Sequence, residues 1–116
     1  MVEVGIILGS ISDKEIGEKC VETLKKLGID YKITVASAHR TPERLKSIVK
    51  EYEKRGVKVF IGVAGLSAAL PGVIASLTTK PVIGVPTDAA LDGLDALLSM
   101  SQMPPGIPET INLTSF

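Results

Sequence analysis

Two short polar segments hold the residue types best suited to chemistry in this chain of 116 residues. The first, Gly9-Ser10-Ile11-Ser12-Asp13, follows an apolar run and precedes a helical pattern. Backbone N–H groups at a helix start, with hydroxyls beside them, form a natural seat for a phosphate. Asp13 would repel a phosphate at contact distance, so hydrogen bonds from sugar hydroxyls suit it better. A plain helix cap explains the same residues equally well, and the segment is neither a Walker A nor a GxGxxG sequence.

The second segment, Ser37-Ala38-His39-Arg40-Thr41-Pro42, contains the only histidine of the chain. Imidazole is the side chain best matched to moving protons near pH 7. The guanidinium of Arg40 can bind a phosphate or a carboxylate with two parallel hydrogen bonds. The alternative is an ordinary loop histidine that is hydrogen-bonded by the backbone, and the segment alone does not decide between them.

Patterns typical of strands and helices alternate along the chain. The predicted strands and helices determine where the two polar segments lie in the fold. Nearly continuous apolar runs, typical of buried parallel strands, cover 2–8, 31–35, 57–63 and 80–86. A last short β-like run covers 110–113. This order predicts an α/β fold, a three-layer αβα sandwich with a parallel, flavodoxin-like sheet. Ligands bind beyond the carboxyl ends of such strands, which places four loops at one edge: 9–13, 36–41, 64–71 and 86–90.

Boundary signals frame the first two helices. Ser12 and Glu15 have the spacing of a capping box, and Pro42 stands where a missing N–H costs nothing. Gly28 and Gly56 are placed to end the two helices. Helical spacing assigns these residues to their apolar faces: Ile16, Cys20, Leu24 and Leu27 in the first, and Leu45, Ile48, Val49 and Tyr52 in the second.

The later part of the chain contains two segments of unusual composition. Residues 62–72 are rich in glycine and alanine, which could bring backbone close to a flat ligand but more often reflects tight strand–helix packing. A third helix is expected to begin at Pro71, and a fourth covers 91–100. The uncharged Met- and Pro-containing segment 99–106 could cover a dry site, although methionine at a helix end is more typical of a core or a subunit contact.

Composition excludes several classes of function. Thirteen basic and thirteen acidic residues cancel, and no basic cluster exceeds a pair, which argues against nucleic acid as a partner. The single cysteine, Cys20, cannot form an internal disulfide, and no His, Cys, Asp and Glu group has metal-ligand spacing. No apolar run approaches the roughly 20 residues that span a bilayer. We therefore expect one cytoplasmic α/β domain over 1–116, without a membrane segment, a metal or a cofactor.

Taken together, four motifs resemble the phosphoribosylaminoimidazole carboxylase catalytic subunit family. They are Gly9-Ser10-x-Ser12-Asp13, Ser37-Ala38-His39-Arg40-Thr41-Pro42, Ala64-Gly65…Leu70-Pro71-Gly72 and Leu91-Asp92-Gly93…Gln102-Met103-Pro104. The resemblance extends over about 4–108, and its bacterial-type members are N5-carboxyaminoimidazole ribonucleotide mutases. Such enzymes act in purine biosynthesis and move a carboxyl group from the exocyclic nitrogen to the ring carbon of the aminoimidazole, without metal or cofactor.

The resemblance implies a role for each matched residue. Ser10, Ser12 and Arg40 would hold the 5′-phosphate of the ribonucleotide, and Asp13 its ribose hydroxyls. His39 would be the general acid and base. The other implied substrate-binding residues are Gly9, Ser37, Ala38, Gly65, Leu66, Gln102 and Met103.

An inter-subunit site is also implied, because Gln102 and Met103 would come from a neighbouring copy in a homo-octamer. The apolar residues of 97–105 independently favour a homo-oligomer. The resemblance further implies that this single domain lacks the C-terminal helices of the family.

Two departures keep other functions open. Ala69 occupies the position where the family usually has a histidine, directly before Leu-Pro-Gly, and the segment 108–113 is more polar than the family's apolar strand. The same-class alternative is direct carboxylation of aminoimidazole ribonucleotide with CO2. The alternative from another class is a non-catalytic ribonucleotide-binding or assembly paralogue. A receiver or flavodoxin-like module fits the strand–helix order but would need an acidic pair or flavin-loop residues that are absent.

Overall fold

The computed structural model describes residues 1–65 and 69–87, then Leu97, Met100, Gly106 and the backbone of 110–111. Five strands are present: β1 (Val4–Leu8), β2 (Tyr31–Val35), β3 (Val59–Ala64), β4 (Val82–Pro86) and β5 (Thr110–Ile111). Within the ranges 1–65 and 69–87, three α-helices connect the strands: α1 (Lys14–Lys26), α2 (Pro42–Lys54) and α3 (Leu70–Leu77). A single 3₁₀ turn, Ile11–Asp13, lies between β1 and α1. The strand and helix order matches the sequence prediction, and three strands begin two residues later than predicted.

All five strands lie in one parallel sheet of order β2-β1-β3-β4-β5. β1 is therefore an interior strand between β2 and β3, with Leu8 opposite Val35 of β2 and Val63 of β3. From β1 the chain crosses to β2 on one side, and the next crossover returns to β3 on the other side of β1. The carboxyl ends of β1 and β3 therefore form a topological switch point. The predicted parallel sheet is confirmed, and so is its flavodoxin-like class.

The two faces of the sheet are covered by different helices. On one face, α2 and α3 bury the larger core, which includes Ile7, Phe60 and Ile74, none of them exposed. On the other face, Leu8 and Val63 pack with the apolar side of α1. Successive side chains of each buried strand point to opposite faces of the sheet, and helices cover both faces. The predicted three-layer arrangement is therefore confirmed for this part of the sheet.

Helix α2 begins and ends where its sequence signals predict. Pro42 lies in its first turn, and Gly56 follows its end with φ of 96°, in the left-handed region that glycine tolerates. Its four predicted core residues, Leu45, Ile48, Val49 and Tyr52, are all buried. The side chain of Arg44 also donates a hydrogen bond to the carbonyl of Val35, which ties the start of α2 to the end of β2.

Two predictions about α1 were wrong. The capping box is formed by Ser10 and Asp13 instead of Ser12 and Glu15, because a 3₁₀ turn precedes the helix and moves the cap back toward the strand. Leu27 is 67% exposed, because it is the C-cap residue of α1 and the part of the helix that packs on the sheet ends at Leu24. Val21 packs on the sheet in its place. Gly28 ends the helix as predicted, with φ of 70°.

Most of the predicted fourth helix and the 103–108 loop lie outside the described residues. Leu97 and Met100 are helical, and the Met100 side chain is buried in the larger core. The β-like run predicted at 110–113 is represented by β5, which pairs with β4. In the part of the chain that the structure describes, no helix is long and apolar enough to cross a membrane.

Candidate active site

The loop after β1 presents two hydroxyls at the carboxyl edge of the sheet. Gly9 extends the pairing of β1 by donating its N–H to the Val63 carbonyl at 2.9 Å. Ser10 then adopts an extended backbone and caps the 3₁₀ turn, with its Oγ accepting from the Ser12 N–H at 3.3 Å. The hydroxyl oxygens of Ser10 and Ser12 lie 3.0 Å apart and are exposed. Two adjacent hydroxyls of this kind can contact the same phosphate group.

Asp13 closes this loop with a carboxylate that is only 7% exposed. Its Oδ2 accepts a hydrogen bond from the Ser10 N–H at 3.1 Å, and its Oδ1 lies 3.5 Å from the Thr87 hydroxyl. Burial raises the pKa of Asp13 above its ordinary 3.8, and the bonds from Ser10 and Thr87 act in the opposite direction. Each carboxylate oxygen keeps another lone pair, so the group can still accept hydrogen bonds from a ligand.

The loop after β2 is held in shape by its own hydroxyls. Ser37 Oγ accepts hydrogen bonds from the His39 N–H at 3.2 Å and the Arg40 N–H at 3.0 Å. Thr41 Oγ1 accepts from the Ser37 N–H and donates to the Ser37 carbonyl, both at 3.2 Å. Because two N–H groups already point at Ser37 Oγ, its own hydrogen is left to donate. The loop therefore offers a donor to an acceptor-rich group such as a phosphate.

His39 and Arg40 lie at the tip of this loop and are exposed. Arg44, one helical turn after Arg40, is also exposed and lies at the same edge of the sheet. Arg40 directly precedes Thr41, the N-cap residue of α2, and Arg44 lies in the first turn of the helix. Both arginines are thus near the amino end of this helix, where the helix dipole favours an anionic ligand.

The loops after β1, β2 and β3 enclose one cleft of about 840 Å³. Nine residues proposed for the site from sequence line it: Gly9, Ser10, Ser12, Asp13, Ser37, Ala38, His39, Arg40 and Gly65. A cleft of this size accommodates a small phosphorylated ligand such as a mononucleotide. The structure therefore brings these residues together, at the edge where parallel sheets bind ligands.

Three further residues proposed for the site, Leu66, Gln102 and Met103, lie outside the described residues. Ala69, the position where a histidine was expected from the resemblance, is described and lines the cleft.

Sequence reasoning missed two contributors. Arg44 lines the cleft, and its signal was a second arginine one turn after Arg40. Thr87 contacts Asp13 from the end of β4. It lies in the loop 86–90 that the sequence placed at this edge, but it was not proposed as a site residue, and 74 residues separate it from Asp13.

Two other clefts contain fewer groups suited to catalysis. One, of about 730 Å³, lies at the amino edge of the sheet around Asp30 and Arg55. The other, of about 570 Å³, is a largely apolar groove between α1 and β2. Within the described ranges, no group of three or more His, Cys, Asp or Glu side chains could hold a metal ion.

Fold and cleft together define an α/β protein with a cleft lined by hydroxyl and arginine side chains at the carboxyl edge of a parallel sheet. Comparison with known proteins identifies the family. Residues 3–113 match the family described as AIR carboxylase, and the chain belongs to it.

Individual relatives agree with this assignment. The N5-carboxyaminoimidazole ribonucleotide mutase of Methanocaldococcus jannaschii is 63% identical over 103 residues, which are 89% of this chain and 64% of that protein. The mutase of Saccharolobus solfataricus is 54% identical over 109 residues, 93% of this chain and 69% of that protein. The crystal structure of Treponema denticola PurE matches with a TM-score of 0.87 at 37% identity, over 97% of this chain and 72% of that one.

Proposed function

We propose that the chain converts N5-carboxyaminoimidazole ribonucleotide to 4-carboxy-5-aminoimidazole ribonucleotide in purine biosynthesis. The observation that carries this proposal is the convergence of Ser10, Asp13, His39 and Arg40 on one cleft of about 840 Å³. The names of the two mutases support it. The chain spans 64% of the length of the Methanocaldococcus protein. The proposed activity therefore rests on the residues of the cleft as well as on sequence similarity.

In this proposal the 5′-phosphate binds between the loops after β1 and β2. The exposed hydroxyls of Ser10 and Ser12 donate to it from one side. Arg40 binds it from the other side with a charge-assisted hydrogen bond, and the Ser37 hydroxyl donates its remaining hydrogen. Each of these groups can donate a hydrogen bond. Such a set favours a ligand with many hydrogen-bond acceptors, such as a phosphate, over a cation or a sugar without a phosphate.

The ribose and the base occupy the inner part of the cleft. Asp13 accepts hydrogen bonds from the ribose hydroxyls through the lone pairs that Ser10 and Thr87 leave open. Gly65, at the end of β3, lies along the imidazole, where the absence of a side chain lets a flat ring come close to the backbone. Leu66 is proposed to continue the same surface.

His39 moves the proton that the reaction requires. Breaking the bond between the exocyclic nitrogen and its carboxyl group releases CO2, and the nitrogen takes a proton from the imidazolium. The electron-rich ring carbon then attacks CO2, and the neutral imidazole removes the proton from that carbon. This step restores the imidazolium. A single histidine therefore suffices for both proton transfers, because its protonation state is the same at the end of the reaction as at the start.

The released CO2 must be held in a closed pocket until it is recaptured. In the described residues His39 and Arg40 are exposed, so the working site needs a cover. We propose that Gln102 and Met103 of a neighbouring copy supply it, in a homo-oligomer that is an octamer in the family that the sequence resembles. A cytoplasmic location and a small-molecule ribonucleotide partner, without nucleic acid or membrane, complete the proposal.

Ala69 supports two alternatives, because it places a methyl group on the cleft wall where the resemblance leads us to expect a histidine. One is direct carboxylation of aminoimidazole ribonucleotide with CO2, which agrees with the description of the matching family. The other is a ribonucleotide-binding paralogue without catalysis.

A spectral assay with three mixtures separates these functions. The purified chain is given N5-carboxyaminoimidazole ribonucleotide, aminoimidazole ribonucleotide with bicarbonate, or the carboxylated product alone for a binding titration. Conversion of the first substrate faster than its spontaneous breakdown supports the mutase. Turnover of the second mixture only supports the carboxylase. Product binding without turnover in either mixture supports the paralogue, and absence of binding overturns the ribonucleotide site itself.

The variant Ala69→His adds an internal comparison. If the missing histidine limits proton transfer, this variant raises the rate of the wild-type reaction while the affinity for the product stays nearly constant.

A further inference from the structure

Thr87 joins the end of β4 to the loop that follows β1. It is 5% exposed, and its Oγ1 lies 3.5 Å from Oδ1 of Asp13. β1 and β4 are not neighbours, because β3 lies between them in the sheet. The contact therefore crosses the end of β3, where Ala64 and Gly65 have little or no side chain.

The backbone fixes the direction of the Thr87 hydroxyl. Its N–H donates to the Ala64 carbonyl at 3.0 Å, which extends the β3–β4 pairing by one residue. A β-branched side chain has few allowed χ1 rotamers, so a fixed backbone leaves the hydroxyl little freedom. This hydroxyl approaches one carboxylate oxygen of Asp13 while the Ser10 N–H bonds the other.

We propose that Thr87 is a positioning residue for the ligand, acting through Asp13. Contacted at both oxygens, the Asp13 carboxylate is restrained in rotation, so its remaining lone pairs favour one direction toward the cleft. The inference rests on the proposed function in one respect, namely that the ligand presents ribose hydroxyls to Asp13.

The same contact helps to keep a buried carboxyl group ionised. Burial favours the neutral form of Asp13, whereas a hydrogen bond donated to the carboxylate favours the charged form. The titratable or charged side chains on the facing loop and helix that line the same cleft are His39, Arg40 and Arg44, and none is altered in the variants below.

Thr87→Val removes the hydroxyl and retains the shape of the side chain, whereas Thr87→Ser keeps the hydroxyl. As a control, Thr78→Val removes a hydroxyl at the end of α3. Thr78 is a matched control, because its Oγ1 accepts a local hydrogen bond from the Lys80 N–H and Thr78 does not line the cleft. Binding of 4-carboxy-5-aminoimidazole ribonucleotide is measured by calorimetry, and the Asp13 carboxyl group is titrated by ¹³C NMR.

The proposal predicts that Thr87→Val weakens product binding about three- to tenfold at pH 7, the effect of one hydrogen bond. It also predicts a higher pKa for Asp13 and a raised KM with a nearly unchanged kcat. Thr78→Val should behave as wild type, and Thr87→Ser, which keeps the hydroxyl but loses the β-branch, should lie between wild type and Thr87→Val. If Thr87→Val does not fold, Thr87→Ala provides a second variant without the hydroxyl.

An unchanged Asp13 pKa and an unchanged affinity in the variants without the hydroxyl would overturn the inference. If Thr87 has only a structural role, its substitution lowers the stability of the fold but leaves both the Asp13 pKa and the affinity for the product unchanged. A wild-type chain that does not bind the product would sink the proposed function instead, and the Asp13 titration would then still decide whether Thr87 holds the carboxylate.

Discussion

Arg40 is the residue whose contribution to ligand binding can be measured most cleanly, because its exposed side chain supports no core packing. We predict that Arg40→Ala weakens product binding by about 1.5–3 kcal/mol, the range for a hydrogen bond to a charged group. This corresponds to roughly a ten- to 150-fold rise in Kd by calorimetry. Arg55→Ala is the matched control, since Arg55 pairs with Glu51 away from this cleft. Equal effects of the two substitutions would remove the phosphate role from Arg40.

Asp13 predicts a pH dependence of stability. Below pH 3.8 the carboxyl group is protonated in both the folded and the unfolded state, so its burial carries no charge penalty. As the pH rises from 3.8 through the higher pKa of the folded state, the unfolded chain ionises first, and the folded protein loses stability relative to it. Asp13→Asn lacks this titration.

The free energy of unfolding of wild type minus that of Asp13→Asn should therefore fall across this window and then stay constant. Urea denaturation between pH 3 and pH 7 measures the difference. A difference that grows with pH would contradict a raised Asp13 pKa.

At the residue scale the sequence predicted the loop groups well and the long-range contacts poorly. Ser10, Asp13, His39 and Arg40 could be placed together because each follows the carboxyl end of a strand. The loop 86–90 was placed at the correct edge, but the contact of Thr87 with Asp13 was not predictable, because it depends on the order of the strands in the sheet. The capping box was misplaced at Ser12, because Ser-x-x-Glu and Ser-x-x-Asp overlap in this loop and only the backbone shows which one caps.

At the scale of elements, the contact of β1 with α2 depends on a side chain being absent. A Cβ atom at Gly5 would lie 2.6 Å from Cδ2 of Tyr52, closer than such atoms approach. The Tyr52 ring is also held by its hydroxyl, which donates to Thr34 Oγ1 at 2.7 Å. The helix can therefore lie flat on β1 only because residue 5 is glycine.

We predict that Gly5→Ala destabilises the fold by about 1–3 kcal/mol, the usual cost of overpacking a core. Chemical denaturation measures it. In a Tyr52→Leu background the same substitution should cost clearly less, because the clashing ring is gone. An equal cost in both backgrounds would show that the contact is not the cause.

The succession of elements was predictable, whereas their arrangement in the sheet was not. Apolar runs and the signals at Pro42, Gly28 and Gly56 are local, so they mark β1 to β4 and the ends of α1 and α2. The order β2-β1-β3-β4-β5 depends on which side of β1 each crossover takes. That choice is made by packing of whole helices against the sheet, and no short sequence pattern encodes it.

At the scale of the whole molecule, we predict a homo-oligomer. Within the described residues His39 and Arg40 are exposed, and a reaction that passes through CO2 needs a cover. Light scattering at micromolar concentration should give a mass well above the 12.2 kDa of one chain, and eight times that mass for an octamer. A stable monomer with full activity would refute both the assembly and the shared site. Limited proteolysis of the same sample tests the prediction of a single domain over 1–116.

The central claim is that one cleft binds the ribonucleotide and that His39 carries the proton within it. The most direct test is the rate of conversion of N5-carboxyaminoimidazole ribonucleotide by His39→Asn, which keeps a polar side chain of similar reach and cannot exchange a proton near pH 7. We predict that kcat falls at least about 100-fold, the usual contribution of a general acid–base group. The Kd for the product should change by less than about threefold, because the phosphate and ribose contacts remain. Wild-type turnover by His39→Asn would contradict the account.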